Sequence, residues 1–266
     1  MDYAFIGGGN MGRAMAAALI GRGVSAPEKI LVVDPDEGCR KQAAGLGCRV
    51  AEQAGGEVGD AGVVVLAVKP QSAQEMFAQV APRLRSEQVV VSIMAGVTLA
   101  AIRTGLNHQA LVRVMPNTPA QVGEGMNVYY PEPGVTPVQL AAVEALLKAS
   151  GEAMAVQSED AIDAATAVSG SGPAYVFYVA EHWMKQAELL GFTAEEAARL
   201  VQQTLLGATA LWKEVKLPVA TLRQQVTSKG GTTAAALESF ESRGVGASLQ
   251  EGIEKAYRRA KELAKQ

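Results

Sequence analysis

Short apolar runs recur along the first half of the chain, at Tyr3–Ile6, Lys29–Val33, Gly62–Val68, Val89–Ile93, Leu111–Met115 and Asn127–Tyr130. They are rich in valine and isoleucine and nearly continuous, which predicts parallel strands covered on both faces. Helix-like stretches separate them, over Met11–Gly21, Glu37–Leu46, Ala73–Arg83 and Leu99–Leu106. This alternation predicts an α/β fold with a doubly wound, mainly parallel sheet and right-handed crossovers. A helix over Pro137–Ser150 and a last strand over Ala153–Gln157 complete the pattern.

After Gln157 the strand signal stops. The remainder reads as helix: Ser158–Val168, Pro173–Leu190, Thr193–Val215, Pro218–Gln225, Thr233–Ser242 and Ser248–Lys265. Thr193 with Glu196 and Ser248 with Glu251 have capping-box spacing, and Gly191 and Gly244 stand where helices end. The expected organisation is a sheet domain over residues 1–157 and an all-helical domain over 158–266. The helical half is apolar on more than one face, through Ala161, Ile162, Ala165, Val168, Val176, Tyr178, Val179, Leu189, Leu205, Leu206 and Leu211. A few isolated helices cannot bury all of these, so the second domain is expected to mediate dimerisation.

Composition narrows the function. The 266 residues are 48% hydrophobic, enough for one large core or two modest ones, and the net charge is −3 with no basic stripe for nucleic acid. Lys255, Arg258, Arg259, Lys261 and Lys265 interleave with Glu251, Glu254 and Glu262 and read as a solvated helix face. Cys39 and Cys48 have neither zinc nor redox spacing, and with only His108 and His182 no metal site is expected. His182, within an apolar helix, reads as packed, and Trp183 and Trp212 as core or interface residues. The strand-like start predicts no signal peptide, and no apolar run is long enough to span a bilayer. A cytoplasmic protein, not bound to a membrane, is the simplest expectation.

The chemistry begins at Gly7-Gly8-Gly9-Asn10-Met11-Gly12, a GxGxxG placed directly after a strand and before a helix. That context predicts a Rossmann-type dinucleotide loop. Gly7 makes the tight turn, Gly9 admits the pyrophosphate and Gly12 lets the helix pack closely. Asp34 ends the second strand, where an acid binds the adenosine ribose hydroxyls; an ordinary strand-ending turn is the alternative. By charge Asp34 favours NADH over NADPH, while Arg40 downstream leaves a phosphate site open. Val68-Lys69-Pro70 and Met94-Ala95-Gly96 close later strands at their carboxyl ends, where ligands of open α/β sheets bind. Lys69 reads either as a surface lysine or as a residue that orients the nicotinamide end. Asn117 or Thr118, in the rigid Met115–Pro119 loop, reads as a ligand contact or a turn cap.

A second anion-binding geometry lies far along the chain. Ser228-Lys229-Gly230-Gly231-Thr232-Thr233 runs into a helix, so free N–H groups and the helix dipole converge on one place. Between the two lies Ser169-Gly170-Ser171-Gly172-Pro173-Ala174-Tyr175, small residues that allow a close-packed kink or close approach of a cofactor.

Taken in order, Phe5–Gly12, Ala67–Pro70, Met115–Pro119, Ser169–Tyr175 and Ser228–Thr233 resemble the pyrroline-5-carboxylate reductase family over essentially the whole chain. The resemblance implies reduction of Δ1-pyrroline-5-carboxylate to L-proline, the last step of proline biosynthesis, with NADPH or NADH as cofactor. It implies that Ile6, Gly7, Gly8, Gly9, Asn10, Met11, Gly12, Asp34, Ala67, Val68, Lys69, Pro70, Met94, Ala95 and Gly96 bind the cofactor. Gly230, Gly231, Thr232 and Thr233 would hold the substrate carboxylate through their N–H groups, with the catalytic Thr233 hydroxyl near the ring nitrogen. Glu159 matches a substrate-neighbouring acid, and is equally explained as a first-turn acid favoured by the helix dipole. The resemblance further implies an intertwined homodimer whose sites draw on both subunits, with higher assemblies of dimers in the family. Lys229 stands where the family frequently has proline, and Asp34 departs from what an enzyme committed to NADPH would use.

Two rivals remain from the residues alone. A β-hydroxyacid-type dehydrogenase would need a lysine general acid or base at the entry to the helical half, where Ser169–Pro173 stand instead. A non-catalytic dinucleotide-binding protein would have no use for the Gly-Gly-Thr-Thr anion site.

Overall fold

A computed structural model describes residues 2–264. Eight strands form one sheet in the order β3-β2-β1-β4-β5-β6-β7-β8. They are β1 (Tyr3–Ile6), β2 (Ile30–Val33), β3 (Arg49–Ala51), β4 (Val63–Leu66), β5 (Val89–Ser92), β6 (Leu111–Met115), β7 (Gly125–Pro131) and β8 (Gly151–Ala155). The first six run parallel; β7 pairs antiparallel with β6, and β8 runs parallel to β7. The order reverses at β1, which lies between β2 and β4, so the carboxyl ends of these strands open the switch-point crevice of a doubly wound sheet.

Burial follows the pattern expected of such a sheet. All residues of β1, β2, β4 and β5 are buried. Alternate side chains feed two cores, one on each face. Tyr3 and Phe5 join Met15, Leu19, Leu146 and Leu147 from helices α1 (Asn10–Gly21) and α5 (Pro137–Ala149). Ala4 and Ile6 join Met76, Phe77, Leu99 and Ile102 from α3 (Ala73–Val80) and α4 (Leu99–Leu106). Helix α2 (Glu37–Gly45) starts at Asp36, whose carboxylate accepts the Cys39 N–H. Thr136 and Gln139 form a capping box at the start of α5.

The helical part comprises α6 (Asp160–Ala165), α7 (Gly172–Leu189), α8 (Ala194–Val215), α9 (Val219–Gln225), α10 (Thr232–Ser242) and α11 (Val245–Leu263). Contacts divide the chain into two compact units: residues 1–173 together with 255–266, and residues 174–254. The pattern change near Gln157 marks where strands end, whereas α6 and the following turn are packed with the sheet. In the second unit, Val176, Phe177, Tyr178, Val179 and Trp183 of α7 and Leu206, Leu211 and Trp212 of α8 are exposed on the single chain. His182 is also exposed and packs edge-on against Tyr178, with ring centroids 4.5 Å apart.

Several local expectations change. Strand β3 is a short, largely exposed edge, so it has no apolar run to announce it. Strand β8 begins at Gly151, straight after α5, rather than at Ala153. The Thr193–Glu196 capping box forms, but the Ser248–Glu251 pair does not cap a helix. Helix α11 already begins after Gly244, which has φ +68°, and the Ser248 N–H donates to the Gly244 carbonyl within its first turn. Lys265 lies outside the described residues.

Gly105 in α4 yields a prediction of definite sign. Alanine normally stabilises a helix over glycine by about 1 kcal/mol. A Cβ at Gly105, however, would stand 2.3 Å from Cδ2 of the buried Phe77 ring. Overpacking of this kind costs about 1–3 kcal/mol. Gly105→Ala is therefore expected to lower the urea unfolding midpoint; an increase would show that Phe77 has room to move.

Candidate active site

The glycine loop joins β1 to α1 in a space that excludes side chains. Gly7 has φ +112°, and a Cβ there would lie 2.6 Å from the Ala67 carbonyl carbon and oxygen. At Gly12 it would lie 2.3 Å from the Gly7 carbonyl oxygen. Gly9 differs: nothing stands within 4 Å of the position a Cβ would take, so bare backbone faces open space. Gly9 is also the N-cap of α1, with no side-chain cap and no acidic residue in the first turn. The N–H groups at this end thus remain directed at any anion that approaches. These features fit the pyrophosphate of a dinucleotide. Ile6 is buried beneath the loop, and its carbonyl accepts the Ala67 N–H at 2.8 Å. Met11 packs against the core, while Asn10 is exposed and accepts from Arg13 at 3.2 Å.

Asp34, at the end of β2, faces the loop from the side. Its Oδ2 accepts the Gly8 N–H at 2.7 Å and its Oδ1 accepts the Asp36 N–H at 2.8 Å. Arg40 turns to the carbonyls of Asp34 and Pro35, at 2.8 and 2.7 Å. The Cys39 N–H holds the Asp36 carboxyl below its usual range. Burial, followed by the charge of Asp34, pushes the Cys39 thiol up, which disfavours its thiolate.

The ends of β4 and β5 complete this edge, since Leu66 and Ser92 are register partners. Ala67 abuts Gly7, Val68 packs into the core, and Lys69 and Pro70 are exposed at the start of a short turn. Met94 is only 2% exposed, so its side chain belongs to the core, and Ala95 is exposed. Gly96, with φ +74°, is covered by Leu263 near the end of α11, whose Cβ lies 3.0 Å from where a Cβ of Gly96 would be.

Glu159 is held more tightly than a first-turn acid. Its Oε1 accepts both the Leu99 N–H, at 2.7 Å, and Arg113 Nη1, at 2.9 Å. It thereby caps α4 together with Thr98, which accepts the Ala101 N–H. Arg113, on β6 and 2% exposed, also donates through Nη2 to Asp163 at 2.8 Å. The sequence reading had not singled out this arginine. Its signal was a lone charge inside the apolar strand Leu-Val-Arg-Val-Met, which says that a partner is needed without naming it. Asn117 donates to the Ser169 carbonyl and accepts the Met126 N–H, which makes it a structural tie. Thr166–Gly170 forms a π-helical turn, with Ser171 N–H donating to the Thr166 carbonyl at 2.8 Å. Its small residues permit close approach: a Cβ at Gly170 would lie 3.3 Å from Met115.

The Gly230–Thr233 turn belongs to the second unit. Gly230 has φ +69° and the Gly231 N–H donates to the Ser228 carbonyl at 3.1 Å. Lys229 therefore occupies the turn position where proline would preset φ. The Gly231 N–H is engaged inside the turn, and the first intrahelical bond runs from the Ala235 N–H to the Gly231 carbonyl, so the donors left at the start of α10 are those of Thr232, Thr233 and Ala234. Gly231, in extended conformation, is the N-cap and no side chain caps the helix. Among the described residues no group of three His, Cys, Asp or Glu could hold a metal ion, and no helix is long and apolar enough to cross a membrane.

Comparison with known proteins matches residues 159–263 to a family profile described as pyrroline-5-carboxylate reductase dimerisation. Residues 2–96 match a profile described as NADP oxidoreductase coenzyme F420-dependent. The chain is similar to the pyrroline-5-carboxylate reductase of Pseudomonas aeruginosa, 40% identical over 99% of this chain and 97% of that protein. It is similar to that of Synechocystis, 39% identical over 100% and 99%. Its fold superposes on a pyrroline-5-carboxylate reductase from Coxiella burnetii with TM-score 0.92 and 36% identity, covering 100% and 99% of the two chains. A Plasmodium falciparum pyrroline carboxylate reductase with NADP bound gives TM-score 0.90 at 27% identity, covering 99% and 98%.

The buried Arg113 cluster makes a stability prediction. Removing one partner of a buried ion pair costs about 3–5 kcal/mol, because the remaining charge is left uncompensated. Arg113→Met is expected to fall in that range by urea unfolding. A loss below about 1 kcal/mol would mean that Glu159 and Asp163 reach solvent when the arginine is gone.

Proposed function

The chain belongs to the pyrroline-5-carboxylate reductase family, and on that premise we propose which of its residues perform the reaction. The reaction is the reduction of Δ1-pyrroline-5-carboxylate to L-proline with NAD(P)H. The observation that carries the residue assignment is the start of α10, where the N–H groups of Thr232 and Thr233 have no side-chain cap over them.

When bound, the nicotinamide supplies the hydride that adds to the imine carbon. The protein's task is placement and electrostatics. The N–H groups of Gly9, Asn10 and Met11 at the start of α1 receive the pyrophosphate, and Asp34 receives the adenosine ribose. Ala67, Val68, Lys69, Pro70, Ala95 and Gly96 line the edge beyond it, Met94 and Ile6 supporting them from the core. Thr232 and Thr233 N–H groups bind the substrate carboxylate, with Gly230 and Gly231 shaping the turn. The Thr233 hydroxyl hydrogen-bonds near the ring nitrogen and orients the protonated imine, the better hydride acceptor. Proline leaves with that nitrogen as an amine, so the reduction itself needs no further proton. Glu159 acts mainly by positioning, through Leu99 and Arg113, and adds negative potential that favours a cationic ring.

The exposed apolar faces of α7 and α8 support an intertwined homodimer, in which the α10 turn serves the nucleotide of the neighbouring chain. A biosynthetic role with two free thiols fits the reducing cytoplasm.

The reaction is tested by following NADH and NADPH oxidation in the presence of pyrroline-5-carboxylate at neutral pH; no oxidation with either cofactor sinks it. Thr233→Ala is expected to lower kcat/KM about 10- to 100-fold, the value of one hydrogen bond to a charged group. Nucleotide affinity should stay unchanged in that variant. An unaltered rate would remove Thr233 from the site.

A further inference from the structure

We propose that this protein selects NADH over NADPH, and that Asp34 is the discriminating residue because its carboxylate is locked in place and the neighbouring cations are turned away. The inference rests on the assignment of Gly7–Gly12 as the nucleotide loop.

Asp34 closes β2 beside β1, whose end carries that loop. Its two oxygens are held separately, Oδ2 by the Gly8 N–H at 2.7 Å and Oδ1 by the Asp36 N–H at 2.8 Å. Swinging the carboxylate aside to admit another anion would break both bonds, one of them in the nucleotide loop itself. Each oxygen keeps a further lone pair, so the group can still accept from the hydroxyls of a ribose. A 2′-phosphate offers no such proton and brings a charge of about −1.5 to −2 against the carboxylate.

Receipt of that phosphate would require a cation, and the local ones are occupied. Arg40 donates through Nη1 to the carbonyls of Asp34 and Pro35, and its Nη2 lies 3.7 Å from Glu52. Its side chain is only 19% exposed, and freeing the guanidinium for a phosphate would break both carbonyl bonds. Arg13 is half-buried and donates to Asn10 Oδ1 and toward the Gly8 carbonyl. The positive end of α2, a second potential phosphate seat, already carries Asp36 on the Cys39 N–H and Glu37 in its first turn.

The test is direct binding to the full chain, by calorimetric titration with NADH and then NADPH, beside kcat/KM for each. The expected result is a Kd for NADH at least about tenfold below that for NADPH. Equal or tighter binding of NADPH overturns the proposal. Asp34→Asn keeps an acceptor for the Gly8 N–H while removing the charge, and Asp34→Ser removes the acid altogether; both are expected to narrow the ratio. An unchanged ratio in both overturns the role of Asp34. Binding is read without pyrroline-5-carboxylate, so the two readings fail separately. NADH-selective binding without turnover would refute the reaction and leave this inference standing, whereas turnover that prefers NADPH would do the reverse.

Discussion

Backbone meets backbone where β1 ends against β4, and the geometry of the site depends on that contact. A methyl group at Gly7 would collide with the Ala67 carbonyl, and one at Gly12 with the Gly7 carbonyl, so the loop closes only because neither position carries a side chain. The same closure brings the start of α1 over the sheet edge and leaves Gly9 bare toward solvent. Binding capacity here comes from what is missing: room is denied at two glycines and kept at the third.

The second constraint is electrostatic and lies deeper. Arg113 is buried in a central strand and takes one carboxylate from Glu159 and another from Asp163, which ties α6 to the sheet. Because the same Glu159 oxygen caps α4, a single acid couples strand β6, helix α6 and the loop that begins at Met94. A displacement of Glu159 would therefore be felt at once in β6, α6 and the start of α4.

Much of this was legible in the sequence wherever one local signal sufficed. Val63–Leu66 and Val89–Ser92 announced themselves as buried strands because both faces are apolar, and GxGxxG acquired meaning from the strand before it and the helix after it. Signals that depend on a distant partner were not legible. Arg49–Ala51 is a strand only because β2 lies beside it, and nothing in Arg-Val-Ala requires extension. Ser248–Glu251 has the spacing of a capping box, but the same spacing fits a first turn once Gly244 has started the helix. Glu159 read as an acid near a helix start, yet its partners lie 60 and 46 residues away. The lock on Asp34 likewise joins residues 26 apart, so charge was readable and immobility was not.

Leu263 rests on Gly96, and residues 255–266 belong to the same compact unit as the sheet. On the ribosome they follow both the sheet strands and residues 174–254. The sheet strands emerge early and begin to pair, but the loop after β5 stays uncovered until α11 has been released. The unit that holds the sheet is therefore completed only after the helical insertion of residues 174–254 has been made.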